Sequence, residues 1–329
     1  MHSQAVVADR STHDVSAIQY RCTRDIEEHA QALKGWQLRY DQLSPGSFVG
    51  ELIHMDLGGM QLIRDRSNQA MIKNGQSWDG AITFSMPLAC PDPQFHCIGN
   101  SIEKPSLLIA RAEHLPELRV GADLDLVCVA VDQAVLNDAM LRQGRELDLQ
   151  HLPRCYQLLS LASQVELIRL FRDVLDHHQT GPALLDHASI RGALRDAIIA
   201  HLLELIDSQE SHTLPPSTRK RMVDRARDYA LANCDRPINI LDVCNQIGAS
   251  RRKLQYCFQE TLGTNPVAYL RALRLNAVHR QLLSPGDSES VQTVAAQWGF
   301  WHLSRFATDY RQLFGERPSD TLRRARQAC

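Results

Sequence analysis

The chain has 329 residues, 44% of them hydrophobic and 22% charged, with a formal net charge of −2. That length suggests two domains, each with a core of its own, and the composition is ordinary for a soluble globular protein. No apolar run approaches the ~18–20 residues that a membrane helix needs, and MHSQAVVADRSTHDVS lacks a basic region followed by an apolar core, so neither a membrane partner nor a secretion signal is expected and the expected location is cytoplasmic.

The small net charge hides an asymmetry. Residues 217–329 carry 18 Lys and Arg against 10 Asp and Glu, a balance of +8, while residues 1–216 carry 18 against 28, a balance of −10. A basic third on an acidic body fits either a solvated surface or a polyanion-binding domain, because clustered positive charge displaces the counterions around phosphates. The nine cysteines form no CxxC pair, which points to reduced thiols. Cys90, His96 and Cys97 in CPDPQFHC offer a metal-ligand set, but zinc favours a tighter cysteine pair and a fourth ligand. Structural cysteines and a satisfied histidine are the expectation, with no metal and no cofactor.

In chain order, residues 1–25 read as a polar, mobile N-terminus. DIEEHAQALKGWQLRYDQL reads as a short helix leading into a turn at Ser44-Pro45-Gly46. SFVGELIHMDL and MQLIRD then flank Gly58-Gly59, a loop suited to a hairpin. QAMIK, a turn at Asn74-Gly75 and AITFSMP continue the pattern, and FHCIG, SLLIA and DLVCVAV are further short strands. This predicts a β-sandwich or barrel over 26–132. Trp36, Tyr40, Phe48, Trp78 and Phe84 are either ordinary core or the lining of a ligand pocket.

From Gln133 the periodicity turns helical, giving a segment over 133–207. In SIRGALRDAIIAHLLELIDSQ, Leu194, Ile198, Leu202 and Ile206 share one stripe, which serves as core, as a dimer interface, or both. SQESHTLPPST, residues 208–218, is polar with two prolines and reads as a linker.

A repeat follows. VCNQIG (Val243–Gly248) aligns with VAAQWG (Val294–Gly299) at an offset of 51, and at 52 Leu254, Phe258, Leu262, Gly263, Pro266 and Leu270 meet Phe306, Tyr310, Phe314, Gly315, Pro318 and Leu322. Each copy predicts a short helix, a tight turn, a longer helix and a glycine-proline stop, which is the helix-turn-helix arrangement. Ser250 is placed to cap the longer helix of the first copy. Between the copies, Pro266 to Leu283 predicts a helix capped by Asn265, with proline at its first position. Eighteen residues rise roughly 27 Å, and major grooves on one face of DNA recur every ~34 Å, so such a helix suits two readers in successive grooves.

In the second copy Leu303, Phe306, Tyr310 and Phe314 form the expected buried face. The opposite face presents Ser304, Arg305 and Thr308 to base edges and Arg311 to a phosphate or a neighbouring surface. In the first copy Arg252, Gln255 and Tyr256 occupy the corresponding face. Arginine bonds guanine bidentately, glutamine does so with adenine, and short hydroxyls bond either.

These residues resemble the AraC/XylS family of bacterial transcription regulators over about 219–323, most specifically in GFWHLSRFATDYRQLFGERPS. The resemblance implies base reading by Arg252, Gln255, Tyr256, Ser304, Arg305 and Thr308, with Arg251 and Lys253 as phosphate contacts. Two departures stand out: Tyr256 replaces a residue that is basic in many members, and Trp301-His302 replaces a Ser or Asp cap. SRRKLQ, RLNAV, QWGFWHLSRFATDY and GWQLRYDQLSPGSFVGE are similar to ethanolamine-operon regulators, and similar stretches occur in quorum-sensing and virulence regulators of pseudomonads. The family implies an α+β architecture: a cupin-like β-barrel or sandwich sensor, a helical dimerisation segment, and an all-α domain, 219–329, with two helix-turn-helix units. It also implies a homodimer on double-stranded promoter DNA that activates transcription through RNA polymerase, with a small-molecule effector such as ethanolamine in the β domain.

Two other functions fit the β domain. One is dimerisation or protein contact alone in a ligand-independent virulence regulator. The other is a cupin-type metalloenzyme with the helical domain as accessory, for which His54, Glu51, His96 and His114 are candidate ligands without a compact motif. G-x-S-x-G, H-E-x-x-H, phosphate-binding glycine loops and G-x-G-x-x-G are all missing, and the expectation is that the protein is not an enzyme.

Overall fold

The computed structural model describes residues 17–89, 95–102, 106–144, 156–160, 165–176, 185–208, 212–235, 239–284, 286 and 289–328. The chain opens with β1 (Ile18–Thr23), α1 (Ile26–Ala30), β2 (Gln37–Gln42), β3 (Gly50–Asp56), β4 (Met60–Ser67), β5 (Met71–Gln76) and β6 (Ala81–Ala89). It continues with β7 (His96–Cys97), β8 (Asn100–Ser101), β9 (Ser106–Arg111), β10 (Leu118–Val120), β11 (Leu124–Asp132) and α2 (Gln133–Arg142). Next come β12 (Tyr156–Ser160), α3 (Val165–Asp176), α4 (Ala188–Ser208) and β13 (His212–Leu214). The C-terminal part is helical: α5 (Thr218–Ala232), α6 (Ile240–Ile247), α7 (Arg251–Leu262), α8 (Pro266–Leu283), α9 (Val291–Gln297), α10 (Leu303–Phe314) and α11 (Pro318–Ala328).

Among the described residues the strands form two antiparallel sheets rather than a closed barrel. One has eight strands in the order β1-β3-β4-β11-β6-β9-β12-β13, and the other has five in the order β2-β5-β10-β7-β8. Side chains alternate faces along a strand. On β11, Val127, Val129 and Val131 enter a core shared with Leu136, Phe171, Ile198 and Leu202 of α2, α3 and α4. Leu124 and Leu126 enter a second core with Tyr40, Met71, Cys97 and Leu118 of the smaller sheet. The larger sheet is thus covered by helices on one face and by the smaller sheet on the other. The run from Leu126 to Val131 is continuously apolar because both of its faces pack against cores. Arg64, only 4% exposed, fastens α3 to this sheet by bonding Asp125 at 2.7 Å and Asp176 at 2.5 Å.

Several local expectations change in three dimensions. Residues 18–23, assigned to the mobile N-terminus, form β1 and pair with β3; residues 1–16 lie outside the described residues. The helix expected from Asp25 stops at Ala30, and Gln37–Gln42 is a strand. Leu38 and Tyr40 recur at the two-residue spacing that puts both against the sheet core. Asn74-Gly75 is not a turn but part of β5, paired with Arg39 and Leu38. Gly75 sits at φ 147°, and a Cβ there would lie 2.3 Å from the Gln37 carbonyl oxygen. Close approach of the neighbouring backbone requires this glycine.

The segment over 133–207 is not wholly helical, because β12 pairs with β9 and extends the larger sheet. Within 208–218, β13 pairs with β12 and Ser217 caps α5 by accepting the Lys220 N–H at 3.0 Å.

The two copies of the repeat have separate cores. Val243, Leu254, Phe258 and Leu273 are central to the first, and Val278, Val294, Phe306 and Tyr310 to the second. Asn265 caps α8 by accepting the Ala268 N–H at 2.8 Å, with Pro266 at the first position. The linking helix therefore has the bounds that the cap and proline specify.

Candidate nucleic-acid interface

The first reader is α6, a tight turn and α7. Gly248 ends α6 in the left-handed conformation at φ 68°, which costs glycine little. Ser250 then starts α7 by accepting the Lys253 N–H at 3.2 Å. Leu254, Cys257, Phe258 and Leu262 anchor one face of α7, while Arg251, Arg252, Lys253, Gln255 and Tyr256 are exposed. The Tyr256 ring is 51% exposed and lies under the Arg219 guanidinium of α5, 5.4 Å from the ring centroid. Where a basic residue is common, this chain places an aromatic ring with a cation against it. Sequence reasoning missed Arg219 because the pairing spans two helices.

The second reader is α9, a turn at Trp298-Gly299 and α10. Phe306, Tyr310, Leu313 and Phe314 are buried, and Ser304, Arg305, Thr308 and Arg311 are exposed. Leu303 is a correction: expected in the buried face, it is 38% exposed at the first position of α10. His302 precedes that helix without a side-chain cap bond. The Thr308 hydroxyl donates to the Ser304 carbonyl at 3.0 Å, so it is turned toward its own helix. Tyr310 joins three elements, its hydroxyl bonding His279 Nδ1 at 2.6 Å and Thr321 Oγ1 at 2.9 Å. Burial pushes its phenol well above the usual tyrosine range.

In the β domain a cavity of about 70 Å³ is lined by Trp36, Tyr40, Asp65, Lys73, Thr83 and Ser85, among others. Of the five aromatic candidates, Trp36 and Tyr40 reach it, and Trp78 meets Trp36 edge to face at 6.2 Å. Phe48 and Phe84 do not line it; they are packed into cores at 4% and 2% exposure. Beside the cavity the Asp65 carboxylate accepts from Lys73 Nζ at 2.6 Å, the Tyr40 hydroxyl at 3.3 Å and His29 Nε2 at 3.1 Å. Burial would raise this carboxyl, but the cations and hydrogen bonds of Lys73 and His29 outweigh it and hold Asp65 far below the usual carboxylate range.

The α4 stripe takes the core role for its two central residues. Ile198 and Leu202 are fully buried under the larger sheet, and Leu194 and Ile206 pack against the same core. Ile198 and Leu202 therefore serve as the cover that the sheet requires, while Leu194 and Ile206 are only partly buried at its margin. Among the described residues His54, Glu51, His96 and His114 form no group of three potential metal ligands. Cys97 is buried, Cys90 lies outside the described residues, and the cysteines of the described residues are free thiols.

A family model described as a helix-turn-helix domain matches residues 243–324. Over 140 residues the chain is 32% identical to "XylDLEGF operon transcriptional activator 2" of Pseudomonas putida, covering 40% of this chain and 89% of that protein. The chain belongs to the AraC/XylS family of transcriptional regulators. It is also 33% identical over 153 residues to "Probable thc operon regulatory protein" of Rhodococcus erythropolis, covering 45% of this chain and 46% of that one. The match thus spans about half the length of the Rhodococcus relative. A crystal structure of "a probable AraC family transcriptional regulator from Rhodopseudomonas palustris CGA009" is 37% identical, covers 32% of this chain and 97% of that one, and has a TM-score of 0.30.

The AraC/XylS resemblance said nothing of a further set of residues that join the β domain to the reading units. Gln42, Asp25, Glu117, Asn276 and Arg280 all bond across that boundary. Their one sequence signal is Asn276, an amide set between Leu275 and Ala277 on the buried side of α8.

Proposed function

We propose that the protein is a sequence-specific, DNA-binding transcription activator that reads two successive major-groove segments with α7 and α10. Arg252, Gln255 and Tyr256 read one segment, and Ser304, Arg305 and Thr308 read the other. Arg251, Lys253 and Arg311 contact phosphates. One observation carries this reading: both copies of the repeat bury an apolar stripe, Leu254 to Leu262 and Phe306 to Phe314, and leave the polar, basic stripe exposed. Positive charge there supplies affinity, and the base-edge donors supply sequence selectivity.

The activator works in the cytoplasm as a homodimer and contacts RNA polymerase. Ile198 and Leu202 of α4 take no part in the dimer, because the sheet already covers them. The β domain is a cupin-like sensor, and the cavity beside Trp36, Tyr40 and Lys73 is where an effector binds. Its volume suits a molecule of few heavy atoms such as ethanolamine.

Footprinting and a salt titration test the central reading. Selective protection of two segments about one duplex turn apart is expected, with Arg252→Ala and Arg305→Ala each costing about 1–3 kcal/mol of specific binding. Sequence-independent binding, or binding indifferent to both substitutions together, refutes it. Thermal stabilisation by ethanolamine and related amines tests the effector separately.

A further inference from the structure

The two readers lie on opposite sides of one helix. Tyr269, Leu270 and Leu273 of α8 enter the first core, and Leu275, Val278 and Leu282 enter the second. At 3.6 residues per turn these sets point to opposite faces. Between the units opens a cleft of about 280 Å³, lined by Ile240, Arg271, Arg274, Phe300, Trp301 and Arg305 among others. A pair of small domains on one helix, with a cleft between them, can rock about that helix.

The β domain meets both units. Leu43, just after β2, packs against both cores. The preceding residue is bracketed by Asn276 of α8: the Gln42 N–H donates to Asn276 Oδ1 and the Gln42 carbonyl accepts from Asn276 Nδ2, each at 2.9 Å. The Gln42 side-chain amide donates to the Leu313 carbonyl at 2.7 Å, at the C-terminal end of α10. On the first unit, Ile72 of β5 sits inside the core, and Glu117 pairs with Lys220 at 3.1 Å and Arg227 at 2.8 Å, both on α5. Each reader is therefore fastened to the same third body by different residues, while its reading face stays open.

We propose that the β domain, and not α8 alone, sets the distance and rotational phase between the two readers, with Gln42, Leu43 and Glu117 as determinants of operator spacing. The proposal rests on the DNA-reading function above. One added base pair turns the second segment by about 35° relative to the first. Two units clamped to one body cannot follow that turn, whereas two units hinged on α8 can.

The test uses the full chain and an operator obtained by in vitro selection with it. Duplexes carry the two segments at the selected spacing or with one or two base pairs inserted or removed, and binding is read by fluorescence anisotropy. The wild type loses roughly tenfold or more in affinity per base pair of change, the scale of a lost base contact. Gln42→Ala, Leu43→Ala and Glu117→Gln combined reduce that penalty to under about threefold while single-segment binding stays unchanged. If the triple variant does not melt cooperatively, Glu117→Gln alone, which opens no cavity, must still lower the penalty measurably. Variants that fold and keep the full penalty overturn the proposal, as does a wild type indifferent to spacing. A wild type that selects no sequence at all refutes the DNA-reading function itself, which is a separable result.

Discussion

Replacing Asp65 by Asn should be among the most damaging single changes in the β domain. Its carboxylate is the acceptor for three groups, and the nearest, Lys73 Nζ at 2.6 Å, belongs to a side chain only 6% exposed. The amide keeps the shape but removes the charge, leaving an ammonium in the interior with one half-satisfied partner. Breaking a buried pair by removing one member costs about 3–5 kcal/mol, most of it from the uncompensated charge. Asp65→Asn combined with Lys73→Met removes both charges and should recover most of that loss. The assay is urea denaturation of the four proteins in the cycle, whose coupling energy isolates the pair. The pH dependence has a fixed sign. Asp65 is depressed in the folded chain, so its stabilisation is fully present above the unfolded carboxyl range near ~3.9 and falls away as acid is added below it. Asp65→Asn should flatten stability in that window. A single variant within about 1 kcal/mol of the wild type at neutral pH would refute the reasoning.

Other outcomes follow from the same coordinates. Lys253→Ala should weaken all DNA sequences alike and lower the slope of log affinity against log salt by about one, whereas Arg305→Ala should relax selectivity at one position; filter binding over a salt series separates the two. Leu202→Ala should cost about 2–5 kcal/mol through the cavity it leaves under the larger sheet, yet sedimentation of the folded variant should show an unchanged oligomeric state. Asp25→Asn should weaken the join between α1, α8 and α11, because Asp25 accepts from His279 at 3.0 Å and Arg324 at 2.6 Å. Burial opposes the charge of Asp25, but the hydrogen bond and charge of His279, with help from Glu27 N–H and Arg324, hold it below the usual range. The loss, about 1–3 kcal/mol at neutral pH, should shrink as pH falls below the ordinary carboxylate range, read by urea midpoints at two pH values.

The reading units were legible in the sequence because their determinants are local. Ser250 bonds three residues ahead, Asn265 does the same, and the stripe from Phe306 to Phe314 repeats at helical spacing. Duplication then made each copy a control on the other. The β domain was less legible because its decisive contacts are non-local. Asn74-Gly75 carries a turn signature, and the close approach of Gln37 and Leu38 on the neighbouring strand explains its glycine. The α4 stripe looked the same whether it faced a sheet or another subunit, since periodicity reports that a face is buried and not what buries it. Gln42 and Asn276 are 234 residues apart, and no window on the sequence joins them.

β2 is where the cavity and the clamp coincide. The Tyr40 ring lines the cavity, while the Tyr40 carbonyl accepts from Arg280 at 3.2 Å and the next carboxylate, Asp41, pairs with Arg280 at 2.8 Å. Anything that moves β2 from inside the β domain therefore moves the partners of α8 within two residues of the Gln42 bracket. A ligand can shift this arrangement only by the difference in its affinity for the two positions of β2. By linkage, the factor by which such a ligand changes operator affinity must equal the factor by which operator DNA changes ligand affinity. Titrating an effector with and without saturating operator, and the operator with and without effector, measures both factors. Factors of one in both titrations would mean that the two sites do not communicate, and equal factors above or below one that return to one in Arg280→Ala would assign the route to β2.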